Sequence, residues 1–242
     1  MRTVRIYENT TPLQEGSEFK LCEDGFGHLC RVLRFKAGDE FVVFDGSGNE
    51  FNAKLLEVGK SAKAICQDRI ERNVESPLQI ELGQVISRGD KMDFTIQKAV
   101  EMGIFKITPL NSERCGVKLD APRREKKVSQ WQKIASSACE QCGRNVVPEV
   151  APITDLQQWC EIQDPDCLSL TLDPKANIKI YEANIHKKVR LLIGPEGGLS
   201  AEEILQAKKS GFIGVTLGPR ILRTETAALA ALSILGSHFG DL

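Results

Sequence analysis

Within the first seventy residues the stretches "FKLCE", "EFVVFD", "EFNAKLLEVG" and "SAKAICQDRI" run apolar or alternate apolar with polar. Such runs predict β-strands, and the turn-formers between them ("AGDE", "DGSGN", "VGK") mark reversals of the chain. "DGSGN" is a tight hairpin signal. Several short strands in so few residues predict a small barrel. "HLCRVLRFKAGD" interrupts them with a short helical stretch, on which Arg31 and Arg34, three apart, share one face. Such a pair is either a solvated face or two phosphate contacts.

The patterning changes near "ERNVESPLQ", where polar residues and Pro77 separate a first domain, 1–73, from a second, 74–242. From Leu78 onward strands and helices alternate. "LQIELGQVI", "IFKITPL", "CLSLTLD", "VRLLIG" and "FIGVTLG" are nearly continuous apolar runs. Strands of that kind are buried on both faces, which predicts an α/β domain with a parallel sheet covered by helices. "DKMDFTIQKAVEMG" places Met92, Ile96, Ala99 and Val100 on one helical side and ends at Gly103. A long helix starts at Pro122 and closes at Gly143.

Composition narrows the class. The chain has 242 residues, 41% hydrophobic and 27% charged, as expected of a globular protein able to bury a core. A net charge of −1 means that any basic face is local. The apolar runs are too short for a membrane span, and "MRTVRIYENT" lacks the apolar centre of a signal peptide. A cytoplasmic protein is expected, and its eight cysteines then read as reduced thiols. Cys139 and Cys142 form a CxxC, but no second pair has zinc-site spacing and His28, His186 and His238 are scattered. No metal is expected. The CxxC closes a helix instead of opening one, the opposite of what depresses a thiol pKa.

The candidate chemistry lies in two Gly-Pro turns, "VRLLIGPEGGLS" and "LGPRILRTETAALAAL". Each follows an apolar strand and precedes a helix, and ligands of open parallel sheets bind beyond the carboxyl ends of the strands. A third turn, "TLDP", points the same way. A phosphate loop requires GxxxxGK[ST]; "GPEGGLS" has no lysine and carries Glu196 instead. The ligand expected is compact and not strongly anionic. Ser200 and Glu203 form a capping box, which gives Ser200 a structural role. "RILRTET" brings Arg220, Arg223 and Glu225 to the start of a very apolar helix, Ala227 to Leu235, whose all-round apolarity suits burial against a second subunit.

"LLIGPEGGLS" followed by "LGPRILRTETA" resembles the ribosomal RNA small-subunit methyltransferase E family of the SPOUT superfamily. "HLCRVLRFKAGDEF", "SRGDKMDFTIQKAVEMGI", "NSERCGVKL" and "EQCGRN" resemble further motifs of that family, in order, over almost the whole chain. The resemblance implies a PUA-like barrel and a SPOUT domain with a C-terminal trefoil knot. It implies S-adenosylmethionine as cofactor, N3 of a uridine in 16S ribosomal RNA or the small subunit as target, and a homodimer. The cofactor residues it implies are Thr171, Leu172, Ile193, Gly194, Pro195, Glu196, Gly197, Gly198, Leu217, Gly218, Ile221, Leu222, Thr226 and Ala227. Glycines let backbone groups approach adenine and ribose, while Leu172, Ile193, Leu217, Ile221 and Leu222 pack the ring. The N3 proton requires a base or a polarising group. Glu225 and Glu196 are candidate bases, and Arg220 or Arg223 candidate stabilisers of charge on the uracil oxygens.

Candidate RNA contacts cluster between Lys106 and Lys133, where eight Lys/Arg face three acids. Arg114 and Lys118 lie in that window, and Arg31, Arg34, Arg88, Lys91 and Arg144 extend it. A charged solvated helix is the bland reading of "RREKK". Two alternatives remain: a non-catalytic RNA-binding protein, which the intact glycines disfavour, and a ribose 2′-O methyltransferase, which "ILRTETA" disfavours.

Overall fold

The computed structural model describes residues 3–9, 12–117 and 119–242. The chain divides into two compact units. The first comprises residues 1–75 together with 136–147, and the second 76–135 with 148–242.

In the first unit β1 (Arg5–Tyr7), β2 (Glu18–Lys20), β3 (Glu40–Phe44), β4 (Glu50–Val58) and β5 (Ala62–Arg69) form one sheet in the order β1-β3-β4-β5-β2. Only β1 runs parallel to its neighbour; the other pairs are antiparallel. Alternation along β4 and β5 buries Phe51, Ala53, Leu55, Ala64 and Cys66 against Ile6, Phe41 and Leu29. The stretch between β2 and β3 is α1 (Glu23–Phe26) running into a π-helical turn, Gly27–Val32. The turn ends before Arg34, which takes a left-handed φ of 60°. Arg31 and Arg34 are both exposed, but they do not share a helical face as the spacing suggested.

Residues 136–147 join this unit through a buried polar cluster. Glu50, 2% exposed, pairs with Arg5 and accepts from Arg72 (3.2 Å) and Asn145 (3.2 Å). Arg144 is 5% exposed, its guanidinium held by Glu75 at 2.6 Å. A buried guanidinium paired in this way, with a carboxylate only 22% exposed, is committed to the fold, since withdrawing either partner would leave the other largely desolvated and unpaired. Arg144 is therefore a scaffold residue, which corrects its assignment as an RNA contact. The neighbouring Cys139 is buried, and burial pushes its thiol up to about 12. That is a structural thiol.

The second unit is built on β6 (Gln79–Val85), β7 (Lys106–Asn111), β8 (Glu149–Val150), β9 (Thr154–Asp155), β10 (Cys167–Leu172), β11 (Lys188–Ile193) and β12 (Ile213–Val215). They pair in parallel in the order β12-β10-β11-β6-β7-β8, with β9 also on β7. Its helices are α2 (Lys91–Glu101), the first part of α3 (Ala121–Cys142), α4 (Leu156–Glu161), α5 (Ala201–Lys209) and α6 (Thr224–Phe239). Leu192, Val85 and Leu110 pack with Trp159 and Cys160 of α4, Ala207 of α5 and Phe212. α2 packs on α6, which also touches β11. Arg190 of β11, 4% exposed, faces α4: its guanidinium stacks 4.0 Å from the Trp159 ring centre and donates to Ile162 O at 2.7 Å.

Candidate active site

Three strand ends and one helix start frame the site. β11 ends at Ile193 and runs into the turn 194–198, in which the Gly198 N–H donates to Pro195 O at 2.9 Å. Gly198 has φ +68°, a conformation that other residues rarely adopt. β12 runs into 216–223, where the Thr216 hydroxyl donates to Gly218 O and accepts from the Gly218 N–H. Gly218 has φ +145°, again in the region that favours glycine. β10 ends at Thr171 and Leu172.

These loops are tied together by residues that sequence reasoning missed. Thr224 opens α6, and its hydroxyl donates to Gly194 O at 2.8 Å. It also accepts from Gln84 Nε2 at 3.0 Å. Gln84 is fully buried at the end of β6, and its second amide proton reaches Val85 O. The chain Gln84–Thr224–Gly194 thus fixes the start of α6 against the first glycine turn. The available signal was a lone glutamine in the otherwise apolar "LGQVI". A polar residue inside a doubly buried strand needs a partner.

Charge gathers on the same turn. Glu196 accepts from the Lys91 ammonium at 3.2 Å and from the Arg88 N–H at 3.3 Å. Burial alone would raise its pKa. Hydrogen bonds from its own backbone, Lys91 and Arg88, together with the Lys91 charge, outweigh that and lower it. Glu225, in the first turn of α6, lies 3.9 Å from the same ammonium. Its Oε2 is buried with no hydrogen-bond partner. Arg114 donates to Gly197 O at 3.1 Å, and the Glu113 N–H to Glu203 Oε1 at 2.8 Å. Ser200 and Glu203 form the reciprocal capping box of α5.

The other expected site residues fall as follows. Ile193 and Pro195 are buried, Leu172, Leu217 and Leu222 half-buried, and Gly197 and Thr226 exposed. Thr171 is buried with its hydroxyl unpartnered. Its register opposite Leu192 puts its side chain on the α4 and α5 face, away from Leu172 and Ile193. Ile221 stands 87% exposed, so within the single chain it packs against no pocket wall. Arg220 and Arg223 are exposed, and Ala227 is half-buried with its N–H on Arg223 O. Arg88, Lys91 and Arg114, expected at RNA, all touch the glycine turn. Lys118 lies outside the described residues. Of the remaining basic window, Lys106 pairs with Glu149 and Arg123 with Asp120. Among the described residues no helix is long and apolar enough to cross a membrane, and no group of three or more His, Cys, Asp or Glu is set to hold a metal.

Comparison with known proteins gives this geometry its setting. An RNA methyltransferase domain family matches residues 74–236, and an RNA methyltransferase PUA domain family matches 21–65. A ribosomal RNA small subunit methyltransferase E of Buchnera aphidicola from Schizaphis graminum is 40% identical over 95% of this chain and 94% of its own. The chain belongs to the ribosomal RNA small subunit methyltransferase E family. Another methyltransferase E, of Bacillus subtilis, is 33% identical over 92% of this chain and 91% of its own. The methyltransferase E of Neisseria gonorrhoeae, solved bound to S-adenosylmethionine, superposes with a TM-score of 0.93 at 38% identity, covering 100% of both chains. A Legionella pneumophila methyltransferase solved with the same cofactor gives 0.95 at 41%, again covering 100% of both. The PUA-like and parallel α/β architecture expected from the sequence is thus shared with the Neisseria gonorrhoeae methyltransferase E.

Proposed function

We propose that this chain transfers a methyl group from S-adenosylmethionine to N3 of a uridine in 16S ribosomal RNA. The observation that carries the proposal is the joining, through Lys91, of Glu196 on the glycine turn after β11 to Glu225 at the start of α6, in a chain of this family. The residues present suit the cofactor. Gly197 and Gly198 expose backbone without side chains, Leu172, Ile193, Leu217 and Leu222 offer apolar surface, and Glu196 and Glu225 suit a cation and repel a polyphosphate. Bound there, S-adenosylmethionine supplies an electrophilic methyl group. Calorimetry should show binding of S-adenosylmethionine and no heat with ATP; tight ATP binding overturns this reading.

The chain's own groups then divide the work. Glu196 is held by three donors and its pKa is lowered, which makes it a poor proton acceptor. Glu225, whose Oε2 accepts no hydrogen bond, is the candidate acceptor for the N3 proton. Arg223 and Arg220, exposed beside it, are suited to stabilising negative charge on the uracil oxygens. The trefoil knot belongs to the same reading. It is supported by the return of α6 to β11 and by the stacking of its His238 on Tyr181, in the connection between β10 and β11, at 5.4 Å.

We further infer that residues 1–73 position RNA and residues 74–242 carry the transfer. Arg31 and Arg34, exposed on the first unit, are the contacts proposed there. Replacing both with alanine should weaken RNA binding and flatten its salt dependence by about 1.5 units of slope, with cofactor affinity unchanged. A variant that loses cofactor binding contradicts the division. A homodimer is part of the proposal, because Leu229, Ala230 and Ile234 of α6 remain only half-covered in the single chain. Sedimentation should give twice the chain mass; a monomer at all concentrations overturns it. A cytoplasmic location, where ribosomal subunits are assembled, completes the reading.

A further inference from the structure

We propose that Lys91 is a positioning residue for methyl transfer, holding Glu225 at the mouth of the site by bridging it to Glu196. The proposal rests on the function inferred above and adds a residue to its machinery.

Lys91 is the first residue of α2. A cation there opposes the helix dipole, so the lysine does not serve its own helix. Its hydrogen bond runs instead to Glu196, on the turn after β11, at 3.2 Å. The same ammonium lies 3.9 Å from Glu225 in the first turn of α6. One cation therefore joins three elements whose ends frame the site. The two contacts differ in kind. Glu196 is hydrogen-bonded to Lys91 and is fixed from a second side by the Arg88 N–H at 3.3 Å. It anchors the ammonium. Glu225 feels the charge without a hydrogen bond: its Oε2, the oxygen 3.9 Å from the ammonium, accepts none. Lys91 thus attracts the Glu225 carboxylate into place without engaging its Oε2 in a hydrogen bond. A direct hydrogen bond would occupy that oxygen.

Exposure sets the scale of the fold's dependence on this bridge. The Lys91 and Glu196 side chains are 32% and 33% exposed, so the ion pair contributes little to stability. A Lys91 variant should fold. Displacing Glu225 by an ångström, in contrast, costs about a hundredfold in rate.

The test is Lys91→Met beside Lys91→Arg, in the intact chain. It uses steady-state methyl transfer to small-subunit RNA, calorimetry with S-adenosylmethionine, and thermal unfolding. Lys91→Met is expected to lower kcat by about a hundredfold with KM for RNA, cofactor affinity and unfolding temperature nearly unchanged. Lys91→Arg, whose guanidinium also spans two carboxylates, is expected to restore most of the rate. Four results overturn the proposal: an unchanged kcat, a raised KM for RNA alone (a phosphate contact), a weakened cofactor affinity alone, or no rescue by arginine. A wild-type protein that transfers no methyl group overturns the underlying reading and this proposal with it.

Discussion

Glu225→Gln is expected to lower kcat by about a thousandfold, within the range for loss of a general base. Affinities for RNA and cofactor should hold. The substitution keeps the size of the side chain and removes only its charge and basicity. Loss of a carboxylate from the first turn of a helix costs about 0.3–1 kcal/mol. The fold should bear that, because the start of α6 is fixed independently through Thr224 to Gly194 O and Gln84. An effect confined to kcat at saturating RNA would mean that the lost interaction acts at the transition state. Steady-state kinetics with both substrates saturating checks this, and full turnover by the glutamine variant contradicts the assignment of the proton acceptor.

Gly197→Val is expected to reduce S-adenosylmethionine affinity by at least about a hundredfold, equivalent to about 2.7 kcal/mol, in a protein that still folds. A Cβ at position 197 meets Arg114 Cβ at 3.6 Å, an ordinary contact, and Gly197 does not adopt a left-handed φ. The substitution is therefore sterically permitted in the turn itself, while its methyl groups cover backbone that a ligand would approach. Gly198→Val makes an informative companion. Its φ of +68° disfavours a side chain, so about 1–2 kcal/mol of strain should appear as lost stability. Calorimetry and thermal unfolding separate the two. Undiminished cofactor binding by Gly197→Val contradicts the placement of the site.

Local signals carried much of the architecture. β4 and β5 were legible because a half-buried strand alternates, and β11 because a doubly buried strand does not. The Gly-Pro turns stood out for the same reason: their chemistry lies within a few consecutive residues. What was not legible depends on partners distant in sequence. Arg144 looked like an exposed loop cation, yet Glu75, 69 residues away, draws it inside. Nothing local indicated that residues 136–147 would pack with the first unit, since their helix has no break at position 135. β1, three residues long, pairs in parallel with β3 and is too short for its alternation to reveal it. Helix α4 was missed because "LQQWCE" is too short to show a period. At the site, Lys91 and Arg114 were visible as basic residues, but their contacts with Glu196 and Gly197 O form only once the loops after β6 and β7 meet the turn after β11.

The decisive measurement is transfer of a labelled methyl group from S-adenosylmethionine to 16S ribosomal RNA, offered free and as assembled small subunits, followed by nucleoside analysis of the digested RNA. The expected result is label in a single 3-methyluridine, absent with Glu225→Gln. Label in a 2′-O-methylated ribose, or RNA that is bound but never labelled, would contradict the proposed reaction.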